Sequence, residues 1–167
     1  YYMATWAKIT ANASIGSWKW KNDVHASIYD DYSGQTIDEV NVYSDGLPVG
    51  DAPQTQIGAA VEITPFKYLA SSAFRQISNL AITADWQFCD RYWADFEPDS
   101  RTEPDDNADP YRIPSYHIVN LSVRNTFKFN KFDMSVFFTL NNLSNSRYIV
   151  RGLDGADHNR ETFTGYW

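Results

Sequence analysis

Between Asp90 and Arg112 the chain carries eight acids (Asp90, Asp95, Glu97, Asp99, Glu103, Asp105, Asp106 and Asp109) and three arginines (Arg91, Arg101 and Arg112). Aromatic side chains are set among them, including Trp93, Phe96 and Tyr111. Ring faces bind apolar and sugar surfaces well, and a guanidinium recognises carboxylate-rich or hydroxyl-rich partners. Trp93, Phe96, Arg101 and Tyr111 are therefore the expected ligand contacts. The excess of acid repels anionic ligands and favours neutral glycans, peptides or cationic cargo. The plainer reading is solvated loop charge.

Other groupings are weaker. Asp105-Asp106-Asn107-Ala108-Asp109 has the spacing that opens a calcium loop. The position that needs Gly for the sharp turn is Pro110, however, and the one that needs a bidentate Glu is Tyr116, so this is no EF-hand. Asp154, Asp157 and His158 gather possible ligands in a Gly-containing segment, which is more simply a loop. His25, His117 and His158 have no partner at metal-ligand spacing, and no metal site is expected. The single cysteine, Cys89, forms no internal disulfide, and the sequence leaves a Cys89–His117 pairing open without favouring it. There is no Gly-rich phosphate loop, no HExxH and no GxSxG. No enzymatic activity and no cofactor are expected.

These residues sit in a chain of 167 residues with 43% hydrophobic and 16% aromatic content. That is far too aromatic for a disordered segment. No apolar run exceeds four residues, so no helix here spans a membrane, which takes about 20. The net charge of −7 makes nucleic-acid binding by bulk electrostatics an unlikely function class. The first residue is not Met, no signal peptide follows, and the chain reads as a piece of something larger.

The elements that must position the loop residues show period 2, the mark of strands. In 115–129, Val119, Leu121, Val123, Phe127 and Phe129 share a face, with Asn125 the exception. In 132–143, Met134, Val136, Phe138 and Leu140 do the same, with Phe137 the exception on the polar face. Segments 3–15, 18–32, 54–64 and 79–90 repeat the pattern, which makes about six strands in all. They are long: a dozen residues span roughly 40 Å, whereas soluble strands are usually about 5 or 6 residues.

The connections alternate. Gly16-Ser17 and Asn130-Lys131 read as tight turns, 65–78 as intermediate, and 33–53, 91–114 and 144–167 as long loops. Aromatic residues cluster near strand ends: Trp18 and Trp20 at one turn, Phe127, Phe129 and Phe132 at the other, and Trp86, Phe88, Tyr92 and Trp93 beside a long loop. Short turns on one side, long loops on the other and aromatic girdles at both ends are what an outer-membrane barrel carries. The expected fold is all-β, an antiparallel up-and-down meander of about six long transmembrane strands within a larger barrel.

Three stretches carry a family resemblance: Gly50-Asp51-Ala52-Pro53-Gln54-Thr55-Gln56, Pro114-Ser115-Tyr116-His117, and Asn141-Asn142-Leu143-Ser144-Asn145-Ser146-Arg147-Tyr148-Ile149. They resemble the carboxy-terminal barrel strands of TonB-dependent outer-membrane receptors, with the flavour of those from Bacteroidota. The Asn-Leu-x-Asn-x-x-Tyr element is the most specific. The resemblance implies that residues 1–167 are part of a 22-stranded barrel, lacking the plug domain and the final strand. It implies wall and outer loops of a nutrient transporter in the cell outer membrane. The implied partners are outer-membrane lipid, TonB acting through the missing plug, a possible surface lipoprotein and an unidentified transported ligand. It also implies that polar wall residues such as Lys8, Lys19, Lys21, Arg124 and Lys128 face the plug. The competing expectation is a soluble all-β module that binds carbohydrate or another ligand through aromatic platforms.

Overall fold

The computed structural model describes residues 2–4, 6–68, 76–155 and 158–165. In chain order the strands are β1 (Tyr2–Ala4), β2 (Ala7–Ile15), β3 (Val24–Tyr29), β4 (Thr36–Val42), β5 (Thr55–Ile63), β6 (Ala81–Asp90), β7 (Tyr92–Trp93), β8 (Asp95–Phe96), β9 (Arg112–Ile113), β10 (Tyr116–Lys128), β11 (Asp133–Leu140), β12 (Tyr148–Asp154) and β13 (Arg160–Gly165). The main sheet has the order β1-β2-β5-β6-β10-β11, antiparallel throughout. The fold is all-β. Among the described residues the sheet is open, with β1 and β11 at its edges.

The register makes one face continuous. Ile9, Val61, Ala84, Leu121 and Leu140 form a row across five strands, and Ala7, Ile63, Ile82, Val123 and Phe138 form the next. On the other face lie rows such as Lys8, Glu62, Thr83, Ser122 and Thr139. Because strand side chains alternate, a slip by one residue in any strand would break every row. Across this face Val61, Trp86, Met134, Val136, Phe138 and Leu140 are all exposed.

The expected meander needs three corrections. Segment 18–32 is no strand of the main sheet: β3 pairs with β4, placed where a long loop was expected, and the two form a separate hairpin. The reason is local. Asp30 Oδ1 accepts the Tyr32 and Ser33 amides at 2.7 and 3.2 Å, and Gly34 takes φ 66°, so the chain reverses there. Gly16 is accordingly no tight turn; its amide donates to the Gln54 carbonyl at 2.8 Å, at the start of a long excursion. Secondly, residues 144–167 are not merely loop: β12 and β13 pair there, and β12 takes β8 alongside in parallel. Segment 3–15 also folds back on itself, with β1 against β2.

The expected sidedness holds for the three long loops, but Gly16-Ser17, expected at the opposite end, leaves with them. Residues 16–54, 91–115 and 141–155 all leave the same end of the sheet, and 64–68, 76–80 and 129–132 lie at the other. Trp18 and Trp20 therefore lie at the long-loop end. At the short-turn end Trp6, Tyr68, Phe129 and Phe132 are exposed, and the last two stack at 4.8 Å. The buried apolar residues gather mainly in the long-loop cap, as Val42, Leu47, Tyr92, Ala94, Phe96 and Ile113. The sheet contributes little beyond Ala81 and Cys89.

Candidate functional site

The cap is held by backbone close approach and buried charge. Gly50 runs against β8 so closely that a Cβ there would lie 2.5 Å from the Asp95 Cα. Tyr92 donates its hydroxyl to the Val150 carbonyl at 2.5 Å, and burial pushes its pKa up. At the corner after β11, Asn142 takes φ 51° and its Oδ1 accepts the Ser146 amide at 2.8 Å. Its own amide donates to Asn120 Oδ1 at 2.9 Å. The Asn-Leu-x-Asn-x-x-Tyr element is thus a clamped corner, finished by Tyr148 stacking on Tyr116 at 4.7 Å.

Arg101 is the centre of the cap. It is 1% exposed and donates to Asp106 at 3.0 Å, to the Ala108 carbonyl at 3.1 Å and to Asp154 at 2.9 Å. Its guanidinium lies 5.5 Å from the Phe96 ring centre. His158 stands 3.3 Å from both Asp154 and Asp106 and closes the network. The acid-rich loop is in this way tied to the end of β12.

Of the four expected contacts only Arg101 and Phe96 come together, and none of the four forms a common site. Arg101 is an internal strut, committed to two carboxylates. Phe96 is largely buried. Trp93 pairs with Arg112 across β7 and β9, with the guanidinium 5.7 Å from its ring. Tyr111 sits under Arg160 at 4.7 Å. Asp106 of the calcium-like spacing serves Arg101, and no group of three ligands able to hold a metal occurs among the described residues. Asp157 lies outside them. Cys89 pairs in register with Tyr116, and His117 with Phe88. Cys89 and His117 therefore point to opposite faces, which removes the thiol–imidazole pairing.

A cleft of about 420 Å³ opens in the cap. Phe96 and Pro98 line it together with the hairpin residues Val24, Ala26 and Val42. Trp20 meets the Phe96 ring edge-on at 6.3 Å, with Ser44 and Asp95 completing the lining. Of the expected residues only Phe96 belongs to it. Trp20 and Val24 were missed because period 2 put 18–32 in the main sheet, and Val42 because 33–53 read as a loop. The Asp-Tyr-Ser-Gly turn at 31–34, preceded by Asp30, was the signal that could have placed them.

The architecture defines an all-β protein with an antiparallel main sheet and a one-sided loop cap. No protein-family model, no curated protein and no solved structure matches the chain.

Proposed function

We propose that the chain is a stretch of wall, with its outer loops, from an outer-membrane barrel of the TonB-dependent receptor kind, taking part in nutrient uptake. The observation that carries this is the exposed apolar face shared by five long strands in register. Such a face in water is an aggregation hazard, as are two open sheet edges; lipid and further strands relieve both. The dimensions support the reading. From Val119, in register with Trp86, to Phe127 is a rise of about 26 Å, close to the apolar band of such barrels, roughly 25 Å tall. β10 runs for 13 residues, enough to cross at a tilt. A soluble sandwich would cover this face with a second sheet, and the described residues place none there.

In this reading the chain supplies wall and loops rather than catalysis. TonB would act through a plug, a surface lipoprotein could sit on the cap, and the cap would gather the ligand. The test is a pair of fluorescent labels, on Leu121→Cys and Ser122→Cys, in the receptor in its native membrane. Brominated lipid should quench the first and spare the second. Equal quenching by a water-soluble agent at both positions would sink the proposal.

A further inference from the structure

The cap cleft is an apolar patch in an acidic surround. Of the loop's acids, Asp90 and Asp106 are paired with arginines. Asp95, Glu97, Glu103, Asp105 and Asp109 form no ion pair with a described residue. Arg101, whose guanidinium lies over the Phe96 ring, is neutralised by Asp106 and Asp154. The cleft thus offers ring faces and branched aliphatic walls beside the carboxylate of Asp95, with Glu97 next to Phe96 in the chain. Its volume falls in the range of small-ligand sites, about 300–1,000 Å³. An anionic glycan or chelate is repelled by these two carboxylates. A neutral sugar gains little, because Ser44, the polar side chain at the back, already donates to the Asn22 carbonyl at 3.0 Å. What fits both features is an apolar side chain with a positive charge beside it.

We infer that the cleft between Trp20 and Phe96 binds a peptide in which an aromatic or branched aliphatic side chain is flanked by basic residues. The apolar side chain enters between Phe96 and Val24, and the flanking cations lie among Asp95 and Glu97. Trp20 and Val24, each 43% exposed, are covered on binding. The inference rests on the transport reading only in making the peptide a cargo; the binding itself does not depend on it.

The experiment is calorimetry on the full chain in detergent, with acetyl-arginyl-phenylalanyl-arginine amide as the probe. The same peptide with glutamate for arginine, and maltotriose, are the comparisons. The arginyl peptide should bind, and the other two should bind at least about tenfold more weakly. Ala26→Leu, which fills the cleft, should weaken the arginyl peptide about tenfold. Asp95→Asn should weaken it about threefold, with the difference shrinking in high salt. Binding of the glutamyl peptide or maltotriose as tightly as the arginyl one overturns the inference, as does affinity within about twofold in Ala26→Leu. If Ala26→Leu loses its strand content, Trp20→Ala decides by the same criterion. Vesicle insertion of the same preparation separates the two readings. Peptide binding without insertion removes the membrane wall and keeps the cleft, and insertion without binding does the reverse.

Discussion

The Asn125 side-chain amide donates to the Gln76 backbone carbonyl at 2.9 Å. Asn125 is the polar residue that interrupts the apolar face of β10, and this bond accounts for it. Gln76, in the connection between β5 and β6, meets that spot, and Asn125 is only 7% exposed although its strand neighbour Arg124 is open. Its Oδ1 has no hydrogen-bond partner among the described residues. Asn125→Asp should put a carboxylate into this covered position, against the Gln76 carbonyl. A loss of about 1–3 kcal/mol is expected, read as a lower urea midpoint in lipid. Asn125→Leu should cost less than Asn125→Asp; the reverse order would show that the connection does not shelter this position.

Facing is tested by charge. Leu121 lies in the apolar row and Ser122 in the polar one. Leu121→Arg should cost about 2–4 kcal/mol in a bilayer, and Ser122→Arg much less. A membrane-folding titration that gives the two equal costs would count against the lipid-facing assignment.

Arg101 and Asp154 are 1% and 2% exposed. Arg101→Ala leaves the Asp154 carboxylate buried with only His158 beside it, and should destabilise the cap by about 3–5 kcal/mol. The sheet register does not depend on this pair. Limited proteolysis should therefore cut the cap of the variant early and leave the long strands protected. Cap cleavage at the unmodified rate would mean the network contributes nothing.

The β3–β4 hairpin should respond to pH. His25 Nδ1 donates to Asn41 Oδ1 at 2.9 Å, and Nε2 lies 3.4 Å from Glu39. The Asn41 hydrogen bond first, and Glu39 second, raise the His25 pKa above its ordinary value of 6.5. A raised folded-state pKa means the stabilisation is fully present below the unfolded value and is lost as pH rises through the folded one. An NMR titration of the imidazole should show the raised value, and Asn41→Ala should bring it down. An unchanged midpoint in Asn41→Ala would remove the assigned cause.

Gly50 should tolerate no side chain. Its missing Cβ would collide with the β8 backbone at Ala94 and Asp95, so neither neighbour has a side-chain rotamer to yield. Gly50→Ala should cost about 1–3 kcal/mol and loosen the cap. Thermal unfolding that matches the unsubstituted protein would place this contact elsewhere.

Period 2 alone fixed the long strands and which residues share a face. Val119, Leu121 and Val123 against Asn120, Ser122 and Arg124 is a statement about the pleat, which every extended backbone obeys. The end from which the long loops leave was legible too, since an antiparallel meander returns to the same end at every second connection. Which segments join the sheet was not legible. Residues 24–29 alternate as well as any wall strand, yet their partner is β4, because the turn at Asp30–Gly34 brings a local strand within reach before β2 can pair with them. Loop chemistry was read by type, whereas burial assigns roles by depth. Arg101 looked like a surface ligand contact and is an internal strut, because two carboxylates from segments 48 residues apart, Asp106 and Asp154, converge on it. Such convergence is set by how the three excursions pack, and no local spacing in the chain encodes it.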